Sequence, residues 1–274
     1  VSSQVQAKVT GGPGGGLGED IAASYIAPHP PLRRRVRGSA STIVPNAGLP
    51  DLPSVFTPVL PLREGGDALA RAVAEAGQGA GTLAWVRSAA RVEAAIVLEP
   101  DQPLRTARCA LYAAASALAD ALAAFGPPEV ALTFRWPGTI LVNGGEIGRV
   151  RIACPANAAE DAAPDWIAVA VEARLSFPRG WEPGHGLGQT ALAEEGWHPD
   201  EASVPELTAA WARHLMAALS DWPRPDGFRR LAERYLARLE GDDGARRGLD
   251  PATGDLVTER DGARDRQSLR EALA

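Results

Sequence analysis

The chain has 274 residues, of which 45% are hydrophobic and 23% charged, with a formal net charge of −6. That length can bury a real core and falls between one large domain and two modest ones. The acidic balance argues against a nucleic-acid partner held by phosphate contacts, which calls for a basic surplus.

The longest apolar run, around Cys109 to Phe125, is interrupted by Ser116 and Asp120 and reads as too short and too weakly hydrophobic to span a bilayer, so no membrane partner is expected and a cytoplasmic location is. Cys109 and Cys154 belong to no C-x-x-C or Cys/His cluster, so no metal site is expected and both read as small core residues. Lys8 is the only lysine. A step that needs a cation from the folded body therefore falls to arginine.

Residues 1–51 carry Gly11 to Gly16, the run Arg33-Arg34-Arg35-Val36-Arg37 and several prolines without a helical or strand period, the composition of a disordered leader. From Leu52 the pattern changes. Asp67 caps a helix through Ala68, Leu69, Ala72, Val73 and Ala76, and Gly81 to Val86 and Ala94 to Leu98 read as strands. A second helix runs from Pro103 to about Phe125, stopped by Gly126-Pro127-Pro128.

A strand Val130 to Arg135 follows, then a Trp136-Pro137-Gly138 turn and a hairpin in which Asn143-Gly144 supplies the positive φ angles of a tight turn. Trp166 to Leu175 is a further strand, and Val204 to Trp222 and Gly227 to Leu239 are helices. This alternation predicts an α+β or α/β core over residues 52–240. Residues 241–274 contain only short extended pieces and predict a small barrel-like appendage.

The stretch Arg135-Trp136-Pro137-Gly138-Thr139-Ile140-Leu141-Val142-Asn143-Gly144, followed by Ile147-Gly148-Arg149, resembles the signature of biotin protein ligases, Lys-Trp-Pro-Asn-Asp-Ile-Leu-Val-Asn-Gly with Ile-Gly-Gly after it. The tail Arg247-Gly248-Leu249-Asp250, Gly254-Asp255-Leu256-Val257, Asp261-Gly262 and Leu269 is similar to the small SH3-like C-terminal domain of those ligases.

The resemblance to the biotin/lipoate protein ligase family implies an α+β fold: a mixed β-sheet with helices on one side, plus a small β-barrel-like C-terminal domain. It also implies a two-step reaction in which ATP with Mg activates biotin or lipoate as an acyl adenylate, and a lysine of a biotinyl or lipoyl carrier domain takes the acyl group. A homodimer is a further implication. Such chemistry needs cations where a carboxylate meets an α-phosphate, and a lid that keeps water away.

The chain departs from the signature in three places. Arg135 replaces the opening lysine and keeps its charge, and Gly138-Thr139 replaces the Asn-Asp pair and removes a carboxylate. The glycine- and arginine-rich lid would fall after Gly81 to Val86, where only Arg87-Ser88-Ala89-Ala90-Arg91 separates two strands.

On the residues alone, Arg135 reads equally as a ligand clamp and as a strand-end charge, and the resemblance favours the clamp and a catalytic role. Trp136, Gly138, Thr139, Asn143, Gly144 and Gly148 follow it as candidate ligand or nucleotide contacts, though Trp136 also reads as core, Asn143-Gly144 as turn chemistry and Gly148 as a bulge.

Arg149 and Arg151, two apart on one strand, share a face and with Arg135 form a candidate cationic site, with a solvated sheet face as the rival reading. His185 and His198 have no partner at ligand spacing. Three functions compete: an AMP-forming ligase for a small carboxylic acid, a binding or regulatory module that kept the fold without turnover, and an acyl transferase using Cys154.

Overall fold

A computed structural model describes residues 45–182, 186–200, 202–241 and 244–274. The glycine and arginine runs of the expected leader and His185 lie outside the described residues. Within the last part of that leader, Pro45–Gly48 form a 3-10 turn and Leu49 is buried at 2% exposure, so folded structure begins before Leu52.

In chain order the elements are β1 (Val59–Leu62), α1 (Ala68–Ala74), β2 (Leu83–Val86), β3 (Arg91–Leu98), α2 (Leu104–Ala107), α3 (Ala110–Phe125), β4 (Leu132–Arg135), β5 (Thr139–Val142), β6 (Gly145–Ala153) and β7 (Ile167–Arg174). Then come α4 (Ser203–Asp221), α5 (Gly227–Leu236), β8 (Arg246–Leu249), β9 (Leu256–Arg260), β10 (Ala263–Gln267) and α6 (Leu269–Ala272).

The first seven strands form one mixed sheet in the order β1-β2-β3-β7-β6-β5-β4, in which only the β1–β2 pair is parallel. β1 escapes the sequence reading because Pro61 lacks an N–H, and a proline within a strand is accommodated at a sheet edge, which is where β1 lies. The last three strands form a separate antiparallel meander closed by the single turn α6.

Alternation along the strands divides the core in two. Leu83, Trp85, Ala94, Ile96, Val169 and Val171 face the long helices α3 and α4. Ala84, Val86, Ala95, Val97, Ala168 and Ala170 face Ala68, Ala72 and Ala76, which lie on and just after the short α1. The long helices α3 and α4 thus share one side, and α1 lies on the other. Its small residues let helix and sheet approach closely, and its N-terminus is fixed where Asp67 accepts from the Ala70 amide at 3.0 Å.

The helix expected from Pro103 to Phe125 is divided at Arg108 and Cys109, where the chain stays right-handed but tightens to i→i+3 bonds such as Cys109 N to Thr106 O. By length and composition alone Leu104–Phe125 would pass as a membrane span, but 72% of its 18-residue apolar window is buried inside the fold, as in a core helix.

Its Tyr112 joins three parts of the molecule. The hydroxyl accepts from Trp136 Nε1 at 3.0 Å and donates to the Gly254 carbonyl at 2.5 Å, while the ring lies 4.5 Å from that of Tyr235. Tyr112→Phe should therefore cost about 2 kcal/mol, because it leaves a tryptophan N–H and a carbonyl without partners in a buried place. Chemical denaturation checks this, and a midpoint equal to wild type would contradict it.

Candidate functional site

The hairpin β5–β6 is offset, so that β6 outruns β5. Thr139 pairs with Arg149, and Arg151 to Ala153 continue beyond it beside the Trp136-Pro137-Gly138 turn, whose Trp136–Pro137 peptide is cis. Gly138 fits there because its carbonyl accepts from Val150 N at 2.7 Å, and a Cβ on it would stand 3.0 Å from the Val150 carbonyl oxygen.

Beside this notch lies a cavity of about 360 Å³. Its walls combine Gly138, Thr139, Arg149 and Arg151 with apolar side chains that include Leu69 of α1, Ile152 of β6 and Leu273 just after α6. Its size is at the small end of ligand pockets, roughly 300–1,000 Å³, and its mixture of apolar wall and two guanidinium groups suits a small anion with an apolar part.

Four of the residues singled out in the sequence thus meet in one place, and the others do not. Arg135 stands in the row Arg135, Thr139, Arg149 across three strands, but its guanidinium lies 3.7 Å from Glu146, its side chain is 56% exposed, and it is not part of the cavity wall. Trp136 is turned to Tyr112.

Asn143 and Gly144, with φ of 48° and 82°, occupy the far turn of the hairpin, where Asn143 Nδ2 donates to Glu195 at 2.7 Å. Gly148 acts through the backbone, because a Cβ there would stand 1.9 Å from the Glu172 carbonyl oxygen. Cys154 packs with the core on the α3 side beside Arg108. Cys109 is fully buried, and burial pushes its thiol up to about 12.

Sequence reasoning missed the carboxylates around the site. Glu93 is buried at 5% exposure, accepts from the Ala68 amide at 2.8 Å and from Arg91 Nε at 2.8 Å, and so holds the start of α1 against the sheet. Arg151 reaches Asp67 at 3.5 Å and Glu93 at 3.9 Å. The signal was available: Glu93 and Glu172 are acids inside strands that are otherwise almost wholly apolar.

The turn between β2 and β3 is four residues long, and Ser88 Oγ accepts from the Ala90 and Arg91 amides at 2.9 and 3.1 Å. No lid arises there. Among the described residues, no group of three or more His, Cys, Asp or Glu side chains could hold a metal ion.

The wall contributed by the C-terminus depends on Asp255, whose oxygens accept from the Leu269 amide at 3.0 Å and from Arg266 Nε at 2.7 Å. Burial alone would raise its pKa, but those donors outweigh it and hold the carboxyl below its ordinary value. A carboxyl depressed in the folded state contributes stability above its unfolded pKa of about 4, and that contribution is lost as pH falls through the folded value. The protection factor of the Leu269 amide, taken relative to intrinsic exchange at each pH, should therefore fall only below about pH 4, and Asp255→Asn should remove that fall; a protection factor that does not change with acid would contradict it.

The fold and the cavity define an α+β protein with a cationic notch at the end of a hairpin. The profile of the Biotin/lipoate A/B protein ligase family matches residues 52–237, and the chain belongs to that family.

A biotin protein ligase-like protein of unknown function from Silicibacter sp. TM1040 is 27% identical with a TM-score of 0.69, over 81% of this chain and 98% of that one. Biotin protein ligase from Aquifex aeolicus is 12% identical with a TM-score of 0.59, over 77% of this chain and 95% of that one. The same Aquifex enzyme in complex with biotin and ATP gives a TM-score of 0.56 at 12% identity, over 77% of this chain and 95% of that one. No curated protein sequence matches this one.

Proposed function

We propose that this protein is a divergent cytoplasmic ligase that binds a small carboxylic acid of the biotin or lipoate type, joins it to AMP at the expense of ATP, and passes the acyl group to a lysine of a carrier domain. The observation that carries this reading is that Gly138, Thr139, Arg149 and Arg151, separated in sequence, line one cavity in a chain of this family.

In the first step a carboxylate oxygen attacks the α-phosphorus and pyrophosphate departs; in the second the amine attacks the acyl carbonyl and AMP departs. Arg149 holds the carboxylate beside the phosphate, because two anions approach only where fixed cations offset their repulsion. Arg151 is partly neutralised by Asp67 and Glu93, so it acts more as a fixed wall than as a free charge. The apolar side chains Leu69, Ile152 and Leu273 receive the uncharged part of the ligand. Magnesium, when it accompanies ATP, supplies charge neutralisation on the phosphates, which need few protein ligands.

The short β2–β3 turn has a consequence for this chemistry. An adenylate held in an open notch is exposed to water, so AMP should accumulate even without a carrier, and isotopic exchange of pyrophosphate into ATP should depend on lipoate or biotin. Both are measured on the full chain. Calorimetric binding of an acid without exchange would replace the ligase reading by that of a binding module, and neither binding nor exchange with any acid would remove the functional reading.

A further inference from the structure

Glu172 of β7 is the direct cross-strand partner of Arg149 on one side and of Glu93 on the other. These side chains share the α1 face of the sheet, since Ala170, two residues earlier on β7, packs beneath α1. Opposite charges directly across an antiparallel pair attract. Even so, Arg149 and Glu172 form no ion pair, and Arg149 lines the cavity instead.

The neighbouring arginines are also directed elsewhere. Arg91 donates to Glu93 at 2.8 Å, Arg151 reaches Asp67 and Glu93, and Arg174 donates to the Thr190 carbonyl at 2.9 Å with its guanidinium over the Phe177 ring. Glu93 is satisfied, whereas Glu172 is half-buried and has no hydrogen-bond or ion-pair partner among the described residues. A carboxylate so placed leaves both oxygens open to accept from an arriving cation.

Glu172 does not line the cavity, so it stands outside the place assigned to the acid yet one strand from the arginine assigned to its carboxylate. The four-residue turn before β3 is shorter than the lid that the ligase resemblance implied. The second substrate of the proposed reaction is an amine that arrives as an ammonium ion from outside the cavity.

We propose that Glu172 receives that amine: its carboxylate holds the ammonium of the acceptor lysine beside the acyl group kept at Arg149 and takes the proton the nitrogen must lose before attack. The neutral nitrogen then forms a bond to the acyl carbon, the bond from that carbon to the AMP oxygen breaks with its electron pair going to AMP, and the second nitrogen proton passes to water. Glu172 returns its own proton to water afterwards. The inference rests on the ligase reading but concerns only its second half.

The test supplies chemically made lipoyl adenylate to the full chain, so that the activation step is bypassed. It then measures transfer to the side-chain amine of a blocked lysine and to hydroxylamine, which is uncharged near neutral pH. Glu172→Gln should lower transfer to lysine by about 100-fold, the scale of a lost general base, while transfer to hydroxylamine stays near wild type. Glu172→Asp, which keeps the carboxylate, should restore part of the lysine rate.

An equal loss with both nucleophiles, or an unchanged lysine rate, overturns the proposal, as does a wild type that does not accelerate transfer from the adenylate over buffer. Transfer without pyrophosphate exchange would leave this inference standing while the activation step of the proposed function falls.

Discussion

Gly148→Ala is expected to destabilise the protein by about 3 kcal/mol or more, at the upper end of overpacking costs because the obstacle is backbone rather than a yielding side chain. An added Cβ would stand 1.9 Å from the Glu172 carbonyl oxygen, 2.6 Å from its carbon and 2.9 Å from the Ala173 Cα. The strands β6 and β7 would have to separate at the Gly148–Ala173 row, next to the one that places Arg149 beside Glu172.

For a folded unit of this size that cost corresponds to a fall of roughly 6–12 °C in the thermal midpoint. Gly77→Ala is the control, since nothing lies within 4 Å of its added carbon and its midpoint should stay near wild type. A Gly148→Ala midpoint indistinguishable from that of Gly77→Ala would mean that the two strands do not approach as closely as described.

Much of the fold was legible because its signals are local. Asp67 caps α1 as its residue type predicts, Asn143-Gly144 makes the tight turn, and the alternation of Ile167, Val169 and Val171 with Ala168 and Ala170 marks a strand packed on both faces. What escaped depends on partners distant in sequence. β1 is a strand only because β2 lies beside it, and α6 begins where Asp255 captures the Leu269 amide from 14 residues away.

The lining of the candidate cavity was half legible for the same reason. Arg149 and Arg151 could be placed on one face by parity alone, and Gly138-Thr139 by the turn. Leu69 and Leu273, from opposite ends of the described chain, meet there only in three dimensions. Arg135 was given a leading place by its position in the signature. It lies on the correct face, but β4 is the edge strand and carries its guanidinium toward Glu146, away from the cavity.

Arg149→Ala is therefore expected to weaken binding of the carboxylic acid by about 10- to 100-fold, whereas Arg135→Ala should change it less than about 3-fold. The larger figure follows from the loss of a hydrogen bond to a charged group, worth about 1.5–3 kcal/mol. Arg149 makes no ion pair among the described residues, so no such interaction is released to offset that loss. Arg135 contributes only an exposed pair with Glu146 at 3.7 Å, of the kind that adds little in water.

Calorimetry with lipoate and with biotin separates the two variants. Arg149→Lys should recover part of the affinity, because a point charge replaces the planar fork without its paired geometry. Equal effects at positions 135 and 149 would move the anion site toward the sheet edge. An effect at 135 alone would remove the cavity from the reading and return the carboxylate to the position of the signature's opening residue.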